Sequence, residues 1–156
     1  LYNVGFTTPS GWFFGNQAVP FPNGNAAGYT TPFGNVFLDF FGFSNSFSEL
    51  TKTITVNVGA TYTLSYAYAV QMIDGTPPSC PLVVTYANTI IDTFTFTPAM
   101  VSLNDWQPHS ATFVPTVASG VLRFRMDCPQ IGGATSYIDT TIDNIAVTLD
   151  GATCTP

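Results

Sequence analysis

The chain has 156 residues, of which 46% are hydrophobic and only 8% charged, with 3 Lys+Arg against 9 Asp+Glu and a formal net charge of −6. A soluble domain usually carries about 25% charged residues, so this chain must keep its surface polar by other means. Three cations, Lys52, Arg123 and Arg125, exclude nucleic-acid binding by phosphate neutralisation and a polybasic hold on a membrane.

Residues 11–19 read as a first strand, and residues 20–34, with three Pro and several Gly and Asn, as a long loop. Residues 35–41 read as a second strand. The run Val36-Phe37-Leu38-Asp39-Phe40-Phe41-Gly42-Phe43 sends Phe37, Asp39, Phe41 and Phe43 to one side and Leu38 and Phe40 to the other. Two readings of this run stay open: burial on both faces beneath the preceding loop, or an apolar patch left at the surface. Asp39 and Gly42 interrupt it, and it is far shorter than the ~20 residues a membrane span needs.

Residues 51–58 and 61–70 alternate polar and apolar side chains around Gly59-Ala60, which predicts a hairpin. Residues 81–86 and 89–97 predict a second hairpin around Ala87-Asn88. Residues 107–114 form a strand in which Pro108 demands an edge or a bulge. Residues 121–128 place Leu122, Phe124 and Met126 inward and Arg123, Arg125 and Asp127 outward. Residues 142–149 close the pattern, and residues 74–78 and 130–134 read as loops. Eight or nine short strands without substantial helix predict an all-β fold, an antiparallel β-sandwich of jelly-roll type. Residues 1–150 are expected to form one domain and residues 151–156 a short tail.

Cys80, Cys128 and Cys154 form no C-x-x-C pair, and the one histidine, His109, adds little to a metal site. The start at Leu1 reads as a processed, exported product. In an oxidising compartment an odd count leaves one disulfide and one spare thiol. Position favours Cys80 with Cys128, because each ends a strand-like run; three buried thiols in a reduced protein are the alternative. The chain contains no Asn-x-Ser/Thr sequon.

Nothing marks a catalytic centre. There is no Gly-x-Ser-x-Gly elbow, no orienting partner stands out for His109, and Glu49 is the only Glu beside eight scattered Asp. Binding fits better, because flat aromatic rings stack on the apolar faces of sugars while polar groups bond the hydroxyls. The candidates off the inward period are Phe21, Tyr29, Phe33, Tyr86, Trp106 and Tyr137, with Asn23, Asn25, Gln71, Asp74, Asn104 or Gln130 as polar partners. Arg123 and Arg125 share an outward face and either meet a ligand or pair with Asp127. Trp12, Tyr62 and Tyr66 read as core.

The order of features also resembles a known family. Asn3-Val4-Gly5-Phe6 with Gly11-Trp12, the run Lys52–Tyr66 around Gly59-Ala60, Trp106 with Thr112-Phe113, Leu122-Arg123-Phe124, and Ile142-Asp143-Asn144-Ile145-Ala146-Val147 resemble, in order, the motifs of CenC-like carbohydrate-binding modules. These are jelly-roll domains of the galactose-binding-like superfamily. Ser79-Cys80 and Cys128 resemble the two-cysteine form found in secreted fungal proteins, which implies the same Cys80–Cys128 bond. The resemblance implies a secreted or cell-wall module, without enzymatic activity, that binds polysaccharide or glycoprotein glycans. It also implies a structural calcium held by a Glu after the first Phe and by an Asp of the last strand. Here Thr7 replaces that Glu, which leaves Asp143, with Asp139 four residues before it, as the calcium candidates. The low charge, the two-sided Phe run and Cys154 support a second reading: a self-associating structural or adhesive subunit, as a homo-oligomer or filament, of an extracellular assembly.

Overall fold

The computed structural model describes residues 11–16, 18–24, 28–43, 46–74, 79–128 and 137–151. Among them are ten strands: β1 (Phe13–Asn16), β2 (Ala18–Pro22), β3 (Val36–Phe43), β4 (Ser46–Thr55), β5 (Tyr62–Asp74), β6 (Cys80–Tyr86), β7 (Thr89–Phe96), β8 (Gln107–Phe113), β9 (Ser119–Cys128) and β10 (Tyr137–Leu149). The one helical element among the described residues is a 3₁₀ turn, Pro98–Met100. The strands form two antiparallel five-stranded sheets. The front sheet runs β2-β3-β10-β5-β8 and the back sheet β1-β4-β9-β6-β7.

Alternation builds the core. Leu38 and Phe40 of β3, Leu64, Tyr66 and Val70 of β5, and Ile138 and Ile142 of β10 face Leu50 of β4, Leu82 and Val84 of β6, Phe96 of β7, and Leu122, Phe124 and Met126 of β9. Full burial of such a side chain contributes roughly 1.5–3 kcal/mol. Tyr62 is buried here too, and Trp12 packs on the rim of the cluster with its ring 6.4 Å from that of Phe124. Cys80 and Cys128, at the ends of neighbouring strands, are joined by a disulfide with their Cα atoms 4.6 Å apart. Cys154 lies outside the described residues, as do residues 3–7 and the loop 130–134.

The hairpin at Ala87-Asn88 is present. Both turn residues have positive φ, 48° and 65°, as the favoured two-residue hairpin turn requires. The hairpin expected at Gly59-Ala60 is absent. β4 lies in the back sheet between β1 and β9, whereas β5 lies in the front sheet between β10 and β8. Alternation determines which side chains face inward but not which strand lies alongside. Two strands facing one core from opposite sheets therefore read like a hairpin. Gly59 (φ 79°) turns the chain between the sheets, and Val58 beside it is exposed, although alternation from Val56 predicts it inward.

The first expected strand, 11–19, is two strands in different sheets, so β2 takes in Pro20, Phe21 and Pro22 from the expected loop. Its two prolines are tolerated because β2 is an edge strand, as is β8 with Pro108. Of the Phe run, Phe37, Leu38 and Phe40 are buried, and they point to both sides of the sheet. At these positions the reading of an exposed apolar patch gives way to burial on both faces.

Candidate functional site

The outer face of the front sheet is unlike an ordinary solvated face. Register places Val19 and Phe21 of β2, Phe37 and Asp39 of β3, Asp139 and Thr141 of β10, and Ala69 with Ala67 and Gln71 of β5 on the side away from the core. Phe37, Asp39, Ala67, Ala69, Gln71, Asp139 and Thr141 are all buried nonetheless. Two covers produce this burial: the described parts of the β2–β3 connection, residues 23–24 and 28–35, which form a strap, and the segment 101–106 that leads into β8.

Hydrogen bonds hold the strap down. Within it, the Thr31 amide donates to Asn23 Oδ1 at 2.7 Å, and Asn23 Nδ2 donates to the Gly34 carbonyl at 2.7 Å. Toward the sheet, the Tyr29 hydroxyl donates to Asp139 Oδ2 at 2.8 Å, and the Thr31 hydroxyl to Asp143 Oδ2 at 2.6 Å. The second cover starts from β5, where the Ser102 amide donates to the Val70 carbonyl at 3.0 Å. Next, the Asn104 amide donates to Gln71 Oε1 at 2.7 Å. Asn104 Oδ1 accepts the Thr30 amide at 2.7 Å, and Trp106 Nε1 donates to the Thr30 carbonyl at 2.7 Å.

These bonds bring two candidate aromatics together. Phe33, 46% exposed, stands edge-on to the half-buried Trp106 at 6.0 Å between ring centroids. Trp106 also meets the buried Phe37 at 6.3 Å, and Phe21 stacks on Phe37 at 6.4 Å. The result is an aromatic ridge with an open top and a fixed base. Asp105, Gln107 and Asn35 near it in sequence are exposed, and Gln107 Nε2 donates to Asp105 Oδ1 at 2.9 Å.

Beneath the strap, Asp39 and Asp139 are buried side by side. Asp39 Oδ1 and Asp139 Oδ1 are both buried, and among the described residues neither has a donor from outside the pair. Burial, then a hydrogen bond and charge repulsion from Asp139, pushes Asp39 up to about 10. Asp39 therefore keeps its proton at neutral pH and donates it to its neighbour, which removes the cost of two unpaired carboxylates side by side. Asp39 was legible only as the odd charge in a run of Phe.

The other candidates lie elsewhere. Tyr29 is 3% exposed, so it anchors the strap and offers no stacking surface. Gln71 is buried with both amide ends in use, its Nε2 donating to Thr141 Oγ1 at 2.9 Å. Tyr86 is in the core and donates to the Val117 carbonyl at 3.0 Å. All three were expected at the surface. The alternation of β6 carries Tyr86 inward even though it borders the Ala87-Asn88 turn. Arg123 and Arg125 lie on the outer face of the back sheet, paired with Glu49 and Asp127 respectively, and the Arg125 guanidinium sits 3.8 Å over the Phe47 ring. The backbones of Asp74 and Tyr137 end β5 and begin β10; their side chains, and all of Asn25 and Gln130, lie outside the described residues.

Asp139 and Asp143 share a face but bond different strap residues, and Asp143 Oδ1 also accepts the Asn144 amide at 2.7 Å. Calcium takes six to eight oxygens. Among the described residues no three His, Cys, Asp or Glu side chains lie close enough to hold a metal ion, and residues 3–7 lie outside the described residues. His109 faces inward, its Nε2 3.0 Å from Asp92 Oδ2 and its ring between Tyr66 and Phe94. The Tyr66 hydroxyl of β5 also donates to Asp92 Oδ2 at 3.0 Å, so Asp92 on the edge strand β7 links to both β8 and β5 of the other sheet.

No family model matches this chain, and no curated protein sequence matches it. Solved structures do share its fold. The chain is similar to the K2 cleaved adhesin domain of Lys-gingipain, with TM-score 0.62, 18% identity, and 90% of this chain and 91% of that chain covered. The K1 adhesin domain of the same protein, from Porphyromonas gingivalis, gives TM-score 0.60 at 14% identity, with 92% and 94% covered. The CBM22-1 xylan-binding domain of Paenibacillus barcinonensis Xyn10C gives TM-score 0.60 at 12% identity, with 94% and 90% covered. TmCBM61 in complex with β-1,4-galactotriose gives 0.55 at 9% identity, with 90% of each chain covered. The chain thus has the β-sandwich fold of carbohydrate-binding modules.

Proposed function

We propose that this chain is a secreted, non-catalytic carbohydrate-binding module, and that Phe33 and Trp106 form its stacking platform. One observation carries the reading: an aromatic pair stands open on the outer face of a sheet, and hydrogen bonds from two covering segments hold its base. Sugar rings present apolar C–H faces that pack on such rings, and a preformed platform loses little freedom on binding. The fold is shared with a xylan-binding domain and with a module that holds β-1,4-galactotriose, which supports a β-linked polysaccharide as the ligand class. The ordered motifs that resemble CenC-like modules in their two-cysteine fungal form support the same reading, and the disulfide supports an oxidising, extracellular setting.

Charge narrows the ligand. All three cations lie on the back sheet, Lys52 on β4 and Arg123 and Arg125 on β9, whereas the front face carries Asp139 and Asp143 with Asp105 beside the platform. Such a face favours neutral sugars over uronates or sulfated sugars. The self-associating reading rests on the low charge, the Phe run and Cys154; in that run Phe37, Leu38 and Phe40 are buried, and Cys154 lies outside the described residues. The test is affinity electrophoresis and pull-down on xylan, β-1,4-galactan, cellulose, chitin and β-glucan. Retention on at least one, lost with Trp106→Ala, is expected. Passage through all of them unretarded rejects the proposal.

A further inference from the structure

We propose that Gln71 and Asn104 are positioning residues that set the orientation of Trp106 from beneath the platform; the consequence for affinity rests on the sugar-binding reading above. Neither residue supplies the stacking surface. Gln71 lies on β5 and is 4% exposed, with its amide fixed at both ends. Its Nε2 donates to Thr141 Oγ1 at 2.9 Å, and that hydroxyl donates to the Ala69 carbonyl at 3.2 Å, so the amide is tied to two strands of the sheet. Its Oε1 accepts the Asn104 amide at 2.7 Å.

Asn104 has φ 59°, a left-handed conformation that Asn and Gly adopt at little cost. This conformation lets its N–H meet Gln71 while its side chain reaches the strap. There Oδ1 accepts the Thr30 amide at 2.7 Å and Nδ2 donates to the Gly28 carbonyl at 3.2 Å. The Thr30 carbonyl, on the other side of the same residue, is the acceptor for the Trp106 indole at 2.7 Å. Thr30 is thus gripped through both backbone groups by residues two apart in the second cover. The path from Thr141 through Gln71, Asn104 and Thr30 to the indole consists of hydrogen bonds of 2.9 Å or less. If the buried amide is removed, the Asn104 N–H and Thr141 hydroxyl each lose a partner, and the cover must shift to satisfy them.

The experiment uses protein labelled with 5-fluorotryptophan, which gives one ¹⁹F resonance for Trp12 and one for Trp106. Asn104→Gly accepts the positive φ and keeps the N–H to Gln71, but it lacks both bonds to the strap. Gln71→Leu cuts the path one step earlier. Both variants are expected to shift or broaden the Trp106 resonance, leave that of Trp12 in place, and weaken polysaccharide binding about tenfold. If Gln71→Leu does not fold, Asn104→Gly alone decides. An unmoved Trp106 resonance overturns the positioning role, and a moved resonance with full affinity overturns its bearing on binding. If the unsubstituted protein binds no polysaccharide, the sugar-binding reading fails, and the resonance still decides whether the two residues orient Trp106.

Discussion

Asp39→Asn tests the buried carboxyl pair. In the folded protein Asp39 is raised from its ordinary 3.8 to about 10, first by burial and then by its hydrogen bond to Asp139 and the repulsion between them. Between those two values the folded state holds a proton that the unfolded chain releases. The contribution of Asp39 to stability is therefore fully present below pH 3.8 and declines as pH rises toward 10. One proton corresponds to about 1.4 kcal/mol per pH unit, so from pH 5 to pH 8 the loss is roughly 4 kcal/mol, against the ~5–15 kcal/mol that stabilises a typical domain. The carboxamide of Asn has the same shape, keeps an N–H donor toward Asp139, and does not titrate. Urea unfolding of both proteins at pH 5, 6, 7 and 8 measures the effect. Relative to their difference below pH 3.8, the variant should already have gained about 1.6 kcal/mol on the parent at pH 5, and it should gain about 1.4 kcal/mol more at each later step. Groups remote from the pair are common to both proteins and drop out of the difference. A difference that stays flat across the series refutes the protonated pair.

Three further outcomes follow from the same structure. Carboxymethylated or sulfated forms of a polysaccharide that binds should bind several-fold more weakly than the neutral form, with the gap closing as salt is added; equal affinity at low salt counts against a platform with Asp105 beside it and every cation on the opposite sheet. Gly120→Ala would place a Cβ 2.9 Å from the Ala87 Cβ and 3.0 Å from the Tyr86 ring, and should cost about 1–3 kcal/mol in a thermal melt, with an unchanged Tm refuting it. Reduction of Cys80–Cys128, which closes a separation of 48 residues, should lower unfolding stability by roughly 4 kcal/mol in the chain-entropy model, and equal urea midpoints with and without reductant would contradict that bond.

The sequence by itself determined the class of fold and most of the strands. Period-two alternation is a local property, so Leu122, Phe124 and Met126 could be placed inward from their spacing alone, and all three are buried. Turn chemistry is local as well, and Ala87-Asn88 makes the hairpin expected of it. Partnership between strands is not local. The two runs around Gly59 carry the alternation of a hairpin yet lie in opposite sheets, because each satisfies the same core from its own side. The site shows the same division. Phe33 and Trp106 could be singled out as aromatics near loops, but 73 residues separate them in the chain. Only the folding of the strap back over its own sheet brings them within 6.0 Å. That same fold moves Tyr29 and Gln71 from expected ligand contacts to anchors, because a hydroxyl or amide on a covered face must find its partner within the protein. The scarcity of charge was plain from composition. Its segregation, with every cation on the back sheet and the strap resting on carboxyl groups of the front, is decided by which strands the tertiary structure places side by side.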